Sequence, residues 1–401
     1  MKFSYYNIIV PYNETYLLYN TANGTFVRIP KEAYSTDNQQ LKELGFIVSD
    51  EQDEIQNYKY RYLSGLFNTS TYHLTIATTL GCNFSCPYCF EDKNKNGDSL
   101  TEHVINSIQT YILHKKIKRL NITWFGGEPF LNFNAIKRLS EFLLENKINF
   151  SSIAITNGSI LTKSIVEKLD KYHVNSLQIT LDGYKDTHNR TRSFKNGKDS
   201  FDLIISNIDR VLEYSSSKII LRINLDKINC NNFIELKKFI FSRYKNYINE
   251  SRLILSPTYI RDRTSFKDCN NCFSPIEYYE YERKILKQRP QLPTLMGPCQ
   301  LRTLNGLIIG PDGEIYKCLE LLGVKSQSVG NITTSSLTIS KLADFALGSL
   351  PFENPKCSNC KFLPICGGGC AIDLRRNKEP HCPALKEKIE EIMIEYYEYI
   401  K

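Results

Sequence analysis

A chain of 401 residues can bury two or three domain cores. Hydrophobic residues at 41% and charged ones at 23% exclude a disordered or fibrous chain, and no apolar run reaches the roughly 18 residues of a membrane span. The net charge of +8 is spread along the chain; its densest run, HKKIKR at 114–119, reads as a solvated helix face, and with no aromatic–basic module beside it nucleic acid is excluded as a partner.

The opening MKFSYYNIIVPYNETY carries no basic region, long apolar segment or cleavage site, so no export signal and no membrane partner are expected, and the expected location is the cytoplasm. NIIV, TYLLYN and GTFVRIP read as short strands, with Asn23-Gly24 as a hairpin turn because both residues tolerate positive φ. A helix is expected from about Lys31 to Leu44, stopped at Gly45, with FIVSD returning as a strand. Residues 1–66 are thus a small β-rich domain with a helix, and DEQDEIQNYK reads as a linker or exposed helix.

Residues 72–290 alternate strand and helix. The predicted strands are YHLTIATTL, LNITWFGG, SSIAITNG, SLQITLDG, IILRINLD and RLILSPTY; TEHVINSIQTYILHKKIK and FNAIKRLSEFLLENK are among the amphipathic helices between them. Six βα units imply an α/β fold with a parallel sheet, open or curved into a partial (β/α)6 barrel. In barrels of this kind chemistry sits at the C-terminal strand ends. The loop GCNFSCPYC, then GGEP, TNGS and LDG, all fall at that end. Residues 291–401 form a third region, in which TLNGLIIGPDGEIYKC reads as a hairpin turning at Pro311-Asp312-Gly313 and ALKEKIEEIMIEYYEYI as a closing helix.

Thirteen cysteines, an odd number in short-spaced groups and without an export signal, point to metal or redox chemistry rather than disulfides. Cys82, Cys86 and Cys89 make C-x3-C-x2-C on one loop. Three thiolates can cap three irons of a cubane and leave the fourth iron open for a substrate or cofactor. A zinc knuckle with a distant fourth ligand is the alternative, although zinc sites usually come as paired C-x2-C. Cys230 reads as an ordinary buried residue.

CNFSCPYC resembles the signature of the radical S-adenosylmethionine (radical SAM) enzymes. The resemblance implies a [4Fe-4S] cluster on Cys82, Cys86 and Cys89, whose open iron binds S-adenosylmethionine. Reductive cleavage then gives a 5′-deoxyadenosyl radical that abstracts hydrogen from an unactivated C–H bond. It also implies that Tyr88 packs near the adenine, and that Gly126, Gly127, Glu128 and Pro129 are the family's GGEP. The glycines would let the backbone approach a ligand, Glu128 would offer a carboxylate to the methionine ammonium, and Pro129 suits the first turn of a helix. Thr180 would hydrogen-bond the cofactor and Arg192 would pair with its carboxylate; Asn157 and Asn224 complete the expected cofactor set. Asp182-Gly183 reads equally as a turn.

Downstream, Cys299, Cys318, Cys357, Cys360, Cys366, Cys370 and Cys382 resemble the SPASM extension of radical SAM peptide-modifying enzymes, which holds two auxiliary iron–sulfur clusters. The resemblance assigns Cys357, Cys360, Cys366 and Cys382 to one cluster and Cys299, Cys318 and Cys370 to the other. The second is one ligand short; Cys269 or Cys272 could supply it, or the site could stay open to substrate. The first region resembles the winged-helix unit with which peptide maturases grip a precursor's leader, by strand addition to an exposed edge; a stabilising cap is the alternative.

The expected function is therefore radical SAM maturation of a ribosomally made precursor peptide by a thioether or C–C crosslink, with an external flavodoxin- or ferredoxin-type reductant. An anaerobic sulfatase maturase, making formylglycine, is the second expectation. Those enzymes carry an aspartate directly after the second cysteine of the array, where this chain has Leu319; Glu320 is then the candidate catalytic acid or base. A non-catalytic metal-binding adaptor is the expectation of another class.

Overall fold

The computed structural model describes residues 1–89, 91, 97–260, 271–286, 289–377 and 379–401. They divide into two compact units: residues 1–68, 275–304 and 343–401 in one, and 69–274 and 305–342 in the other.

In the first unit, β1 (Lys2–Phe3), β2 (Asn7–Tyr12), β3 (Thr15–Asn20), β4 (Phe26–Pro30) and β5 (Ile47–Val48) make two antiparallel sheets, β2-β3-β4 and β1-β5. The β3–β4 turn is longer than a two-residue hairpin. Asn20 N reaches Thr25 O at 2.9 Å, and the Asn20 side-chain oxygen accepts from Ala22 N at 2.9 Å; Gly24 has φ +78°. The turn thus falls at Asn23-Gly24 as expected, but it is longer and is closed by an Asx turn at Asn20, and of the two residues only Gly24 takes positive φ. The helix expected over 31–44 is also shorter, a 3-10 turn at Lys31–Ala33 and a helix at Gln39–Glu43. Asn38 interrupts it, because its side chain caps Leu41 N at 3.1 Å. Gly45, at φ +77°, ends the helix as expected.

The segment read as a linker or exposed helix begins the helix Glu54–Leu66, capped by Asp53. It is not solvated all round. Tyr58, Tyr62 and Leu66 lie on one face at four-residue spacing and pack with Tyr6, Leu350, Cys357 and Leu363. Val10, Leu17 and Tyr19 of the meander pack with Ile365 and with Ile389 and Met393 of the helix Leu385–Ile400. Residues 1–68 therefore share their hydrophobic core with the C-terminal segment, and the boundaries expected at 66 and 291 do not delimit separate compact bodies.

In the second unit, β6 (Tyr72–Thr79), β7 (Arg119–Gly126), β8 (Asn149–Thr156), β9 (Val174–Thr180), β10 (Lys218–Leu225) and β11 (Leu253–Tyr259) lie parallel and in sequence order. Each coincides with an expected strand. β6 is buried over six consecutive residues, as a strand covered on both faces should be. The helices Glu102–His114 and Phe133–Glu145 fall where expected; the second buries Ala135, Ile136, Leu139 and Leu143 and is capped by Asn132. HKKIKR lies mostly beyond a helix. His114 ends one, and Lys115, Lys116 and Lys118 are exposed in the turn into β7.

The sheet continues past β6. β12 (Gly306–Ile309) pairs parallel with β6, and β13 (Glu314–Tyr316), β14 (Gly330–Asn331) and β15 (Ser336–Leu337) add antiparallel strands. The hairpin at Pro311-Asp312-Gly313 is the expected one, with Gly313 at φ +82°. Its pairing to β6 is what places 305–342 in this unit. Among the described residues no helix is long and apolar enough to cross a membrane.

Candidate active site at the strand ends

The cysteine loop leaves β6 at Thr79. Its backbone is pinned to residues 193–195: Ser85 N donates to Ser193 O at 3.2 Å and Lys195 N to Asn83 O at 2.9 Å. Phe84, 1% exposed, stacks edge-on with Phe194 at 4.8 Å. Cys82 Sγ accepts from Phe84 N at 3.4 Å, and Asn157 Nδ2 lies 3.9 Å from the same sulfur.

Gly126 and Gly127 are held to glycine by the protein's own backbone. A Cβ on Gly126 would stand 2.0 Å from Thr79 O, and one on Gly127 2.3 Å from Gly81 O. Gly127 N donates to Thr79 O and Glu128 N to Gly81 O, each at 2.9 Å. The close neighbour is thus the protein's own backbone at the start of the cysteine loop. Pro129 opens the 3-10 turn Pro129–Asn132, as expected for that residue.

Glu128 is fully buried. Its Oε1 accepts from Thr156 Oγ1 at 2.8 Å and Phe130 N at 3.2 Å, and its Oε2 from Asn157 N at 2.7 Å. Most of the carboxylate is committed to holding the end of β8, which leaves one Oε2 lone pair for a ligand ammonium. Burial lifts its pKa to about 7 against the pull of these hydrogen bonds. Asn157 carries the connection onward, its Nδ2 donating to Asn83 Oδ1 at 2.8 Å.

Beneath the loop lies a second buried polar cluster. Tyr88 Oη donates to Asp182 Oδ2 and accepts from Arg192 Nη1 at 2.7 Å. Thr191 Oγ1 also donates to Asp182 Oδ2, at 3.1 Å. Asp182 is completely buried, and burial raises its pKa while Arg192 opposes the rise. His188 Nδ1 accepts from Asp182 N at 3.3 Å, and its Nε2 faces Ser200 Oγ at 3.0 Å; Ser200 donates to Arg192 O at 2.6 Å. That pattern places the imidazole proton on Nε2. Burial, then Arg192, holds the His188 pKa well below its ordinary value, so the ring is neutral. Tyr88 and Arg192 therefore bond each other as well as facing the loop. Sequence reading took Asp182 for a possible turn residue and missed His188 and Ser200; the run YKDTHNRTR, polar throughout beside a strand end, was the available signal.

Thr180 ends β9, buried and in register with Arg222, whose Nε donates to Asn224 Oδ1 at 3.4 Å.

Burial pushes the Cys86 thiol up, Arg192 pulls it down, and Asp182, Cys89 and Cys82 push it up again. The three thiols are thus within each other's electrostatic reach. No three Cys, His, Asp or Glu among the described residues converge closely enough, as they stand, to hold a metal ion. In chemistry the set fits an iron–sulfur cluster: soft thiol donors on one loop, with a guanidinium and N–H groups to offset an anionic centre.

In the first unit, burial and then Cys366, Cys360 and Cys382 lift the Cys357 thiol to about 11, so these four thiols also sense one another. Cys299 and Cys370 belong to this unit and Cys318 to the other, where Cys318 precedes the 3-10 turn Leu319–Leu321 that carries a half-buried Glu320. Cys272 is disulfide-bonded, so it offers no thiolate as the extra ligand considered above. Cys269 lies outside the described residues. Cys230 is buried at the start of a 3-10 turn, as expected.

Residues 76–240 match the family model of the radical SAM superfamily. The chain is 24% identical to the radical SAM cyclopropyl synthase TigE of Paramaledivibacter caminithermalis, over 91% of this chain and 88% of TigE. It is 27% identical to a cysteine-type anaerobic sulfatase-maturating enzyme of Clostridium novyi, over 75% of this chain and 87% of that one. Its fold resembles anSMEcpe with bound AdoMet (TM-score 0.61, 18% identity, 82% of this chain and 94% of that one). It also resembles Streptococcus suis SuiB bound to its precursor peptide SuiA (TM-score 0.57, 17% identity, 95% and 98%). Residues 76–240 thus form a radical SAM domain, and with the relatives named as enzymes they mark a catalytic radical SAM enzyme, of a kind that implies S-adenosylmethionine and a [4Fe-4S] cluster.

Proposed function

From a radical SAM enzyme built this way, we propose a peptide maturase that crosslinks a ribosomally made precursor, gripping its leader with the first unit. The observation that carries this reading is coverage. The match to TigE leaves too few residues outside it to omit the first 68, and the likeness to SuiB spans 95% of the chain. The sulfatase-maturase matches span 75% and 82%.

Cys82, Cys86 and Cys89 would hold the cluster, and when bound the cluster and S-adenosylmethionine supply reductive cleavage and hydrogen abstraction. The chain's own groups prepare the place. Glu128 and Asn157 fix the cysteine loop, Arg192 offsets its negative charge, and Tyr88, Asp182 and neutral His188, with Ser200, hold Arg192 in place. Thr180 and Asn224 stand at neighbouring strand ends, where they would line the cofactor. Cys357, Cys360, Cys366 and Cys382 would hold one auxiliary cluster, and Cys299, Cys318 and Cys370 the other, in the manner of a SPASM extension. Glu320, next but one to Cys318, is the assigned proton acceptor. A flavodoxin- or ferredoxin-type donor would supply electrons.

For the leader, the first unit offers a cleft of about 660 Å³ lined by Asn23, Lys42, Val48, Asn57, Tyr60 and Arg61. β5, one strand of a two-stranded sheet, contributes Ile47 and Val48 to that lining and keeps an edge for strand addition. Tyr60 is 75% exposed there, a ring ready to cover an apolar leader residue.

Formylglycine formation is the second reading, favoured by the identity to the Clostridium novyi enzyme. Mass spectrometry separates the two. The reconstituted protein, with dithionite and S-adenosylmethionine, is given a candidate precursor from a neighbouring reading frame or a sulfatase-derived cysteine peptide. A crosslink removes a pair of hydrogens and keeps every sulfur, whereas formylglycine formation removes the cysteine sulfur. Release of 5′-deoxyadenosine with modification of the sulfatase peptide alone would refute the crosslinking reading.

A further inference from the structure

An electron for the first cluster comes from outside the chain, and electron transfer falls off steeply with distance. A carrier must therefore dock close to the cysteine loop. Two basic stretches of the second unit compete for that role. One is the densest basic run of the sequence, HKKIKR, with Lys115, Lys116 and Lys118 exposed in the turn into β7. It lies at the N-terminal strand ends. From there β7 runs eight residues, roughly 26 Å at about 3.3 Å each, before Gly126 brings the chain level with the cysteine loop. Charge at that turn attracts a carrier but holds its redox centre far from Cys82.

The other stretch is FKNGK at 194–198. Phe194 N donates to Lys198 O at 3.0 Å and Gly197 N to Phe194 O at 2.9 Å, with Gly197 at φ +77°, so these residues form a tight hairpin. Its first arm is bound to the cysteine loop, where Phe84 and Phe194 make an antiparallel bridge. The path inward is short. The Phe194 and Phe84 rings meet at 4.8 Å, and Phe84 N donates to Cys82 Sγ at 3.4 Å. The Arg192 guanidinium lies over the Phe84 ring at 5.9 Å. Phe194 is half-buried, whereas Lys195, Asn196, Gly197 and Lys198 are exposed. Among the described residues neither lysine forms an ion pair, and Asp199, next in the chain, is within electrostatic reach of Lys185.

We propose that the hairpin 194–198 is the docking surface for the electron donor, a flavodoxin of negative surface charge. Lys195 and Lys198 hold the carrier, and Phe194 and Phe84 lie between its flavin and Cys82. The inference rests on the first-cluster ligands and the donor proposed above. Weak electron-transfer encounters bury less than about 1,200 Å², which suits a hairpin and its rim, and complementary charge acts mainly on the rate of encounter. A flavin is preferred to a ferredoxin's cluster because its exposed ring edge is apolar and Phe194 offers it an apolar neighbour beside the lysines. In the step itself the fully reduced anionic flavin gives up one electron and becomes a neutral radical. The oxidised cluster takes that electron, and no bond or proton moves.

The test uses the full chain, reconstituted anaerobically. Fluorescence anisotropy gives its affinity for a purified flavodoxin, and stopped-flow absorbance gives the rate at which reduced flavodoxin bleaches the cluster. Dithionite needs no docking surface and reports on the cluster alone. Lys195→Glu with Lys198→Glu is expected to weaken binding and slow bleaching by flavodoxin about tenfold at about 0.01 M salt, with most of the difference gone at about 1 M. Iron content and bleaching by dithionite stay as in the parent. Lys115→Glu with Lys118→Glu makes the same change of net charge at the far strand ends and leaves the flavodoxin rate in place. An equal loss in both double variants overturns the docking surface, as does an unchanged rate in the Lys195 and Lys198 variant while flavodoxin still reduces the parent. A loss seen with a ferredoxin but not with flavodoxin overturns the choice of carrier. A parent that dithionite bleaches and flavodoxin does not overturns the donor reading as well, and a parent without iron overturns the cluster reading. If iron falls in the glutamate variant, Lys195→Gln with Lys198→Gln decides by the same readings.

Discussion

Asn157 Nδ2 and Asn83 Oδ1 meet at 2.8 Å, so the end of β8 is tied directly to the cysteine loop. Asn157→Ala removes this bond and leaves Asn83 without its donor, at a cost of about 1–3 kcal/mol concentrated on the loop. Iron bound at the first cluster should fall several-fold after anaerobic reconstitution, while far-ultraviolet circular dichroism stays unchanged. Full iron occupancy would show that the tie is dispensable.

Glu128 titrates with an unusual sign. Its native pKa of about 7 lies above the ordinary 4.5, so the folded protein holds a proton that the unfolded chain releases between those values. Its contribution to stability therefore drops as pH rises through that window, and the loss is complete above it. The size is roughly 3 kcal/mol. Glu128→Gln loses the acceptor for Asn157 N but does not titrate. Urea unfolding of the apo protein at pH 5 and pH 8 should show the variant's deficit shrinking at the higher pH; a deficit equal at both would contradict the assignment.

Gly127→Ala forces a methyl group against Gly81 O, with backbone on both sides of the clash. About 1–3 kcal/mol or more is expected, felt as a displaced cysteine loop. Iron–sulfur absorbance should be largely lost in the variant, and S-adenosylmethionine cleavage with it. Normal spectra would mean that the two segments can separate without harm.

Truncation of residues 1–66 should damage more than leader binding. It strips Tyr58, Tyr62 and Leu66 from a cluster that includes Cys357 and Leu363, and each fully buried apolar side chain contributes about 1.5–3 kcal/mol. Iron at the auxiliary sites proposed above is expected to drop in the truncated protein. Arg61→Glu, an exposed change in the cleft, should instead keep iron content and weaken leader binding at least several-fold in fluorescence anisotropy. Equal leader affinity in Arg61→Glu and the parent would remove the cleft from consideration.

Strands β6–β10 were readable in the sequence because each is a short apolar run closed by Gly, Asn or Asp, and β11 because its apolar run LIL follows the same alternation with helices. The partners of those runs were not all readable. GLII looks like one arm of a hairpin, and nothing local says that it lies along β6. Tyr88, Asp182 and Arg192 were each legible as polar residues at strand ends, but they are far apart in the chain, and only the fold shows Tyr88 bonded to both others. The glycines of GGEP were legible, but the backbone that crowds them was not, because a close approach by backbone and one by a ligand demand the same residue. The helix Glu54–Leu66 looked exposed since its opening is acidic; its buried face emerges only from Tyr58 onward.

The parallel pairing of β12 with β6 has a consequence for biosynthesis. The strand that leads into Cys82 has one edge without its neighbour until residue 309 has left the ribosome. A nascent chain stalled before that point exposes an unpaired edge beside the three-cysteine loop. Cluster delivery at this loop should therefore follow the emergence of residue 309, so that a scaffold protein that loads iron would meet β6 already paired on that edge.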